Sequence, residues 1–243
     1  VDMAASLHMC RGEVDEARQQ AEALLTLAQD QEFTFWEGTA RMTLGWALTR
    51  QGQADQGLAQ MERGLAVFRA TGAQTSQTLY LTMFAEIRGR REEFDKGLTL
   101  LDEAFAAARR TGEHFYEAEM YRVKGELLLQ RANQKAKGKN QKAKMKTDPQ
   151  PLSSAPQSEA EACFLQALEI ARGQRAKALE LRAAVSLSRL WWQQSKREEA
   201  RALLTSVHQW FPVGTDTADF MEATQLLYEL TTSTITEVRV RSA

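Results

Sequence analysis

Apolar side chains recur along most of the chain at the three- and four-residue spacing of an amphipathic helix. One clear stripe is formed by Leu98, Leu101, Phe105 and Ala108. No segment alternates apolar and polar residues long enough to predict a core strand. Glycines occur where the helical segments are predicted to end, at Gly12, Gly52, Gly72, Gly112 and Gly173. A glycine at a helix end tolerates the left-handed conformation that closes many helices. The pattern predicts an all-α protein.

Small residues return along the chain with a period of forty residues. A first column of small residues contains Ala17, Gly57, Gly97, Ala160 and Ala200, once 23 inserted residues are allowed for between the third and fourth members. A second column contains Ala5, Gly45, Ala85, Gly125 and Ser188. Small side chains at fixed positions let two helix backbones approach closely. The period therefore predicts repeated, tightly packed helix pairs.

The period divides residues 1–230 into five helix pairs and a capping helix. The pairs are expected near 1–31, 32–72, 73–112, 113–173 and 174–212. The capping helix is expected over 215–230, because Thr215 and the residues up to Asp219 can cap a helix start. Its apolar stripe of Phe220, Ala223, Leu227 and Leu230 could cover the last pair. Residues 231–243 have no evident core face and are predicted to form a flexible tail, with an edge strand that pairs with a neighbouring domain as the alternative.

A lysine-rich segment interrupts the fourth pair over residues 133–157. It begins with a tandem duplication, NQKAKGK followed by NQKAKMK. A basic, low-complexity segment cannot bury enough apolar surface to fold, so the segment is predicted to be a disordered insert. Two interpretations stay open: a solvated, expanded loop, or a polybasic contact with an anionic partner. The absence of interleaved aromatic residues disfavours nucleic acid as that partner.

The residues in these columns resemble those of the tetratricopeptide (TPR) repeat, a helix pair with small residues at such offsets. Leu44 and Gly45, followed by Gly57, Met61 and Gly64, match the family pattern in the second pair; Gly125, Ala160, Phe164 and Ala167 match it in the fourth. The resemblance covers residues 1 to about 230. It implies a right-handed α-solenoid of about five TPR-like helix pairs with a C-terminal capping helix.

The period of forty is longer than the usual thirty-four and is similar to that of long-repeat, MalT-like proteins. Such repeats form the C-terminal sensor regions of bacterial signalling ATPases and of ATPase-linked adenylate/guanylate cyclases. The resemblance implies that this chain is the regulatory region of such a protein. No Gly-rich phosphate loop occurs in the sequence, so an ATPase or cyclase domain would lie outside this chain.

Candidate binding residues follow from the family's concave face, which the first helix of each pair forms. Position by position, the resemblance gives Trp46, Arg50, Glu86, Arg90, Glu119, Arg122, Glu126, Arg182, Arg189 and Trp192. Tryptophan and arginine are typical of binding hot spots, and arginine can grip a carboxylate with two hydrogen bonds. The alternative is a solvated charged face, because Glu119, Arg122 and Glu126 have the spacing of salt bridges along one helix.

Catalytic chemistry has no signature in this sequence. His8, His114 and His208 lie in different repeats without a partner at metal-ligand spacing, and Cys10 and Cys163 are interpreted as small packing residues rather than nucleophiles. We therefore expect no catalytic residue, metal site or cofactor. The balance of 31 basic against 32 acidic residues disfavours a dedicated nucleic-acid binder. No apolar run reaches the length of a membrane span, and two cysteines suit a reducing compartment, so we expect a cytoplasmic protein.

The sequence as a whole predicts a non-catalytic interaction or sensor module. Its expected ligand is a protein, a peptide or a small effector bound in the concave groove. The alternative is a free-standing adaptor that recruits an acidic peptide or a C-terminal carboxylate through Arg122, Arg182 and Arg189.

Overall fold

The computed structural model describes residues 2–143, 154–212 and 214–241, and in these residues every regular element is an α-helix. Eleven helices are present and no strand occurs within the described ranges. The predicted all-α fold class is confirmed. The chain divides into two compact units, Val1–His114 and Phe115–Ala243.

The first unit contains six helices in three packed pairs. They are α1 (Asp2–Arg11), α2 (Val14–Asp30), α3 (Thr34–Arg50), α4 (Ala54–Ala70), α5 (Gln77–Arg90) and α6 (Phe94–Thr111). Each odd-numbered helix packs against the helix that follows it, and α3 also contacts α1 and α5. We call the odd-numbered helix of each pair its first helix and the even-numbered helix its second helix.

The second unit contains two further pairs and a terminal helix. Its helices are α7 (Glu117–Ala143), α8 (Ser154–Gly173), α9 (Lys177–Gln193), α10 (Arg197–His208) and α11 (Ala218–Arg241). The first helices α7 and α9 contact one another, and α11 packs on both α9 and α10. Thr217 caps the start of α11, because its Oγ1 accepts a hydrogen bond from the Phe220 backbone N–H at 3.4 Å.

The two columns of small residues lie on the facing sides of the two helices of each pair. The second column lies on the first helices and the first column on the second helices, and all ten residues are buried. In the last pair the Ser188 hydroxyl donates a hydrogen bond of 3.1 Å to the Ala200 carbonyl oxygen. The columns therefore mark the lines along which paired helices meet.

Left-handed residues close the turns, although not always at glycine. Gly12, Gly52, Gly72 and Gly112 have positive φ as predicted, whereas Gly173 ends α8 without it. In that turn Arg175 takes the left-handed conformation instead, with φ 55°. Arg175 is the second residue after the end of α8, and Gly52 and Gly72 likewise are the second residues after the ends of α3 and α4. The turn therefore requires a left-handed residue at a fixed position, and that residue need not be glycine.

The predicted disordered insert at 133–157 needs a correction. The helix α7 continues to Ala143 and α8 begins at Ser154, so both ends of the segment are helical. Lysine, alanine and glutamine have good helix propensity, and extending an existing helix needs no new nucleus. Residues 144–153 lie outside the described residues.

The C-terminal segment also differs from the prediction. The capping helix begins at Ala218 and runs to Arg241, through most of the predicted flexible tail. Ala223 and Leu230 are fully buried in the core of the second unit, as the predicted stripe requires. Leu226 is also buried in this core, while Phe220 and Leu227 pack against it with part of their surface exposed.

Candidate functional site

The first unit brings four of the predicted binding residues together on α3 and α5. The Glu86 carboxylate oxygen Oε1 lies 3.4 Å from Arg50 Nη2 and 3.1 Å from Arg90 Nη2. The Arg50 guanidinium lies over the Trp46 indole, 5.5 Å from the ring centroid. Trp46 is only 4% exposed. The indole is therefore a core residue that supports Arg50, and the accessible groups here are the three charged side chains.

The second unit contains a largely buried ion-pair network across three helices. Arg122 on α7 donates two hydrogen bonds to Glu119, from Nε at 2.9 Å and from Nη2 at 2.7 Å. Arg182 on α9 lies 3.7 Å from the same Glu119 carboxylate through Nη1. Its Nε donates a 2.6 Å hydrogen bond to Asp219 Oδ2 on α11. Arg182 thus joins α7 to α11.

The charge of Arg182 is strongly held in this network. Burial by itself lowers the pKa of the guanidinium, but its interactions with Glu119, Tyr116 and Asp219, of which Glu119 contributes most, outweigh burial and raise the pKa above its ordinary value. Glu119 has only 3% of its surface exposed. A buried charge is tolerated only when it is paired and hydrogen-bonded, so these residues depend on one another.

A second, more accessible ion pair lies on the same helices. Arg189 Nη1 on α9 is 2.6 Å from Glu222 Oε1 on α11, and the two side chains are 49% and 46% exposed. Trp192, one helical turn further along α9, is partly exposed and packs against the core of the unit. Glu126 lies 3.9 Å from Arg122 and is also partly exposed. These four residues are therefore the accessible candidates for ligand contact in the second unit.

The acidic partners on the terminal helix are not among the residues predicted to bind. Asp219 and Glu222 complete the ion pairs of Arg182 and Arg189, whereas the sequence predicts only helix capping and an apolar stripe for this segment. The signal that could have found them is a recurrent separation of 33 to 37 residues. It joins Arg50 to Glu86, Arg69 to Glu103, Asp55 to Arg91, and Arg182 to Asp219. We call these contacts the one-period links, because each connects consecutive repeats.

His208 packs within the second unit and Cys163 is buried there, whereas Cys10 is exposed. His208 stacks on Phe220 with ring centroids 4.3 Å apart and shares a 2.9 Å hydrogen bond with the Thr224 hydroxyl. Burial raises the pKa of the Cys163 thiol, which disfavours the reactive thiolate. Among the described residues, no group of three or more histidine, cysteine, aspartate or glutamate side chains could hold a metal ion. Within the same residues no helix combines the length and apolar character that crossing a membrane requires.

Comparisons with known proteins define the fold class. The structure resembles that of a kinesin light chain from Podospora anserina with nearly identical TPR-like repeats, with a TM-score of 0.53 and 16% sequence identity. The match covers 86% of this chain and 91% of that one. This similarity and the helix pairs described above identify a TPR-like helical-repeat fold.

Sequence comparison gives one curated relative, an uncharacterized protein of Rhizobium meliloti (strain 1021). It is 27% identical over 154 residues, which is 63% of this chain. The matching segment spans only 13% of the length of that relative. No family model matches the chain.

Proposed function

We propose that this chain is a non-catalytic sensor and interaction module of the long-repeat, MalT-like type. It would act as the C-terminal regulatory region of a larger bacterial signalling ATPase or nucleotide cyclase in the cytoplasm. Its ligand would be a protein, a peptide or a small effector that binds the charged face of the first helices. The observation that carries the proposal is that each unit has an accessible ion-pair site beside its first helices, Arg50–Glu86–Arg90 in the first unit and Arg189–Glu222 in the second.

Accessible ion pairs are suitable for recognition because they contribute little to folding. A pair between exposed side chains is worth about 0–1 kcal/mol, and salt screens it. A ligand that presents a carboxylate to Arg189 or Arg90, or an amine to Glu222 or Glu86, can replace the internal partner at small cost. Such an exchange changes binding without unfolding the repeat.

The buried network has the complementary role of holding the helices in place. Breaking a buried ion pair is far more costly than breaking an exposed one. Glu119, Arg122 and Arg182 therefore position α7, α9 and α11, while the accessible residues meet the ligand. Ligand contacts that favour one spacing of these helices over another would bias an attached catalytic domain, since a ligand shifts an equilibrium by its differential affinity.

Two observations support a larger parent protein. The repeat length is similar to that of the sensor regions of signalling ATPases and cyclases. The curated relative is also much longer than the segment that matches. Reading the native gene upstream would test this part of the proposal: a phosphate-loop domain in the same reading frame is expected, and a start codon directly before this segment would contradict it.

The alternative of a free-standing adaptor for acidic peptides receives less support. Of its three arginines, Arg122 and Arg182 already bind Glu119 and Asp219 in a largely buried setting. Only Arg189 combines an accessible guanidinium with an accessible partner. An acidic peptide would have to displace buried carboxylates to use the other two.

Affinity capture from lysate of the host tests the recognition face directly. The wild-type chain is compared with a double variant, Arg90→Ala with Arg189→Ala, and with the matched control Arg201→Ala. Arg201 forms an exposed pair with Glu198 on the second helix α10 and is 48% exposed, close to the value for Arg189. All three proteins should unfold at similar temperatures, because the changed side chains are exposed.

We expect a partner that wild type and Arg201→Ala retain and that the double variant loses. Its retention should weaken as the salt concentration rises. Identical capture by all three proteins would contradict a role for this face in recognition.

A further inference from the structure

A cavity of about 190 Å³ lies in the first unit, lined by residues of the second helices α4 and α6 and of the first helix α5. The charged residues proposed for recognition lie on α3, α5, α9 and α11, and none of them lines this cavity. The volume is below the roughly 300–1,000 Å³ of sites for drug-sized ligands. The cavity therefore fits a small molecule or a single functional group.

The cavity has an apolar floor that is held in place by aromatic packing. Leu65, Phe68, Tyr80 and Leu81 line it and are all buried. The rings of Phe68 and Tyr80 meet edge to face with their centroids 5.9 Å apart. A preformed apolar surface of this kind favours an aliphatic or aromatic ligand body.

The two arginines at the rim of the cavity differ in the charge of their hydrogen-bond partners. Arg69 forms an ion pair with Glu103, which neutralises its charge. Arg110 instead donates a 3.0 Å hydrogen bond from Nη2 to the neutral amide oxygen of Gln77. Within the described part of the chain, Arg110 has no carboxylate partner. The lining as a whole thus carries one uncompensated positive charge, at Arg110.

Gln77 holds its amide in a defined orientation beside this charge. Its Nε2 donates a 3.1 Å hydrogen bond to the Ala73 carbonyl oxygen, which leaves Oε1 for Arg110. A carboxylate is a stronger acceptor for a guanidinium than a neutral amide oxygen, because hydrogen bonds between charged groups are roughly twice as strong. An anionic ligand could therefore replace the Gln77 oxygen at Arg110.

We propose that this cavity binds a small monocarboxylate with an apolar body. The body would lie on the floor formed by Leu65, Phe68, Tyr80 and Leu81, and the carboxylate would accept hydrogen bonds from Arg110. The proposal does not depend on the function assigned to the first-helix face, and it stands if that face binds nothing.

The test uses 3-phenylpropionate as the probe and 3-phenylpropanol as its neutral counterpart. Titration into ¹⁵N-labelled protein is followed by chemical-shift changes at the amides of Gln77, Tyr80 and Leu81. We expect saturable changes with the acid and about tenfold weaker binding of the alcohol, as the loss of one charged contact predicts. Absence of saturable changes, or equal binding of both probes, would overturn the proposal.

Two variants separate a site from a general charge effect. Arg110→Gln should weaken the binding of 3-phenylpropionate about tenfold and remove the preference for the acid. Arg109→Gln removes the same charge from an exposed neighbour that does not line the cavity, and it should leave binding unchanged. An equal loss of affinity in the two variants would overturn the assignment to Arg110.

Discussion

Gly45 on α3 and Gly57 on α4 lie with their backbones in direct contact. A Cβ atom on either residue would come within 2.6 Å of the carbonyl oxygen of the other. Only two glycines permit this approach, because real Cβ atoms do not come so close to another heavy atom. The other pairs have alanine or serine at one or both of these positions, so the backbone contact between two glycines belongs to the second pair.

Gly57→Ala should therefore destabilise the protein. The added methyl group would lie 2.5 Å from the Thr49 side chain and 2.6 Å from the Gly45 oxygen, so α3 and α4 must move apart. We expect a loss of about 1–3 kcal/mol in the free energy of unfolding, as for other overpacked cores. Thermal and urea denaturation would measure it.

Gly173→Ala is the matched control for this substitution. Gly173 also lies in a helix, and a Cβ there would meet no atom within 4 Å. Alanine has the higher helix propensity, so this variant should be neutral or slightly more stable. Equal losses in the two variants would show that steric contact is not the cause.

A second prediction concerns Gly125 on α7 and Phe164 on α8. A Cβ at residue 125 would lie 2.5 Å from the Phe164 ring, which is fully buried. Gly125→Ala alone should cost about 1–3 kcal/mol. Phe164→Leu makes room for the added methyl group. The double variant should therefore lose less unfolding free energy than the sum of the two single-variant losses, as a double-mutant cycle of urea unfolding would measure. Strict additivity would argue against the contact.

Arg182→Met should be one of the more costly single changes in the second unit. It removes the cation that Glu119 and Asp219 share and leaves Glu119 buried with one fewer partner. We expect a loss of about 2–4 kcal/mol in the free energy of unfolding, because the remaining carboxylates lose their compensation. The same substitution at Arg201, in an exposed pair, should cost less than about 1 kcal/mol. A similar small loss at both positions would contradict a structural role for the network.

The contribution of Glu180 should depend on pH. Burial tends to raise the pKa of this carboxyl, but hydrogen bonds from Lys177 at 2.7 Å and Arg172 at 2.9 Å outweigh burial and lower it below the ordinary value. A lowered folded-state pKa means that the stabilisation is complete above the unfolded-state value of about 4.3 and is lost as the pH falls through the folded-state value.

Glu180→Gln should therefore unfold at lower urea concentration than wild type at pH 7. The loss should approach the roughly 1.5–3 kcal/mol typical of hydrogen bonds to charged groups. As the pH falls below the folded-state pKa, the two denaturation curves should converge. All other carboxylates titrate in both proteins, so the difference isolates Glu180. A gap that stays constant with pH would indicate a packing effect instead.

The repeat architecture could be predicted from the sequence because its cause is local and periodic. Gly45, Gly57 and the small residues at the same positions of the other repeats let paired helices pack closely, and this requirement recurs in each repeat. The extent of the helices was harder to predict: the segment 133–143 is polar and basic, yet it continues a helix that is already nucleated. Residue 175 was missed because the turn there places an arginine in the left-handed position.

The site could be predicted only in part. The sequence placed Trp46 and Glu119 on the right helices but gave them exposed positions, whereas both are buried. Their burial depends on neighbouring repeats, which helical periodicity within one segment does not reveal. The partners of Arg182 and Arg189 lie on α11, and their separation of 33 to 37 residues is a signal that emerges only when several such pairs are compared.

The one-period links also bear on how this gene can change in length. Each link pairs an arginine with a carboxylate of a neighbouring repeat, as Arg69 does with Glu103. Removing or duplicating one forty-residue block would keep the small-residue columns but place some of these charges beside a repeat that lacks the former partner. Because an exposed pair contributes only about 0–1 kcal/mol, repeat number in descendants of this gene should be able to change by whole blocks without loss of the fold.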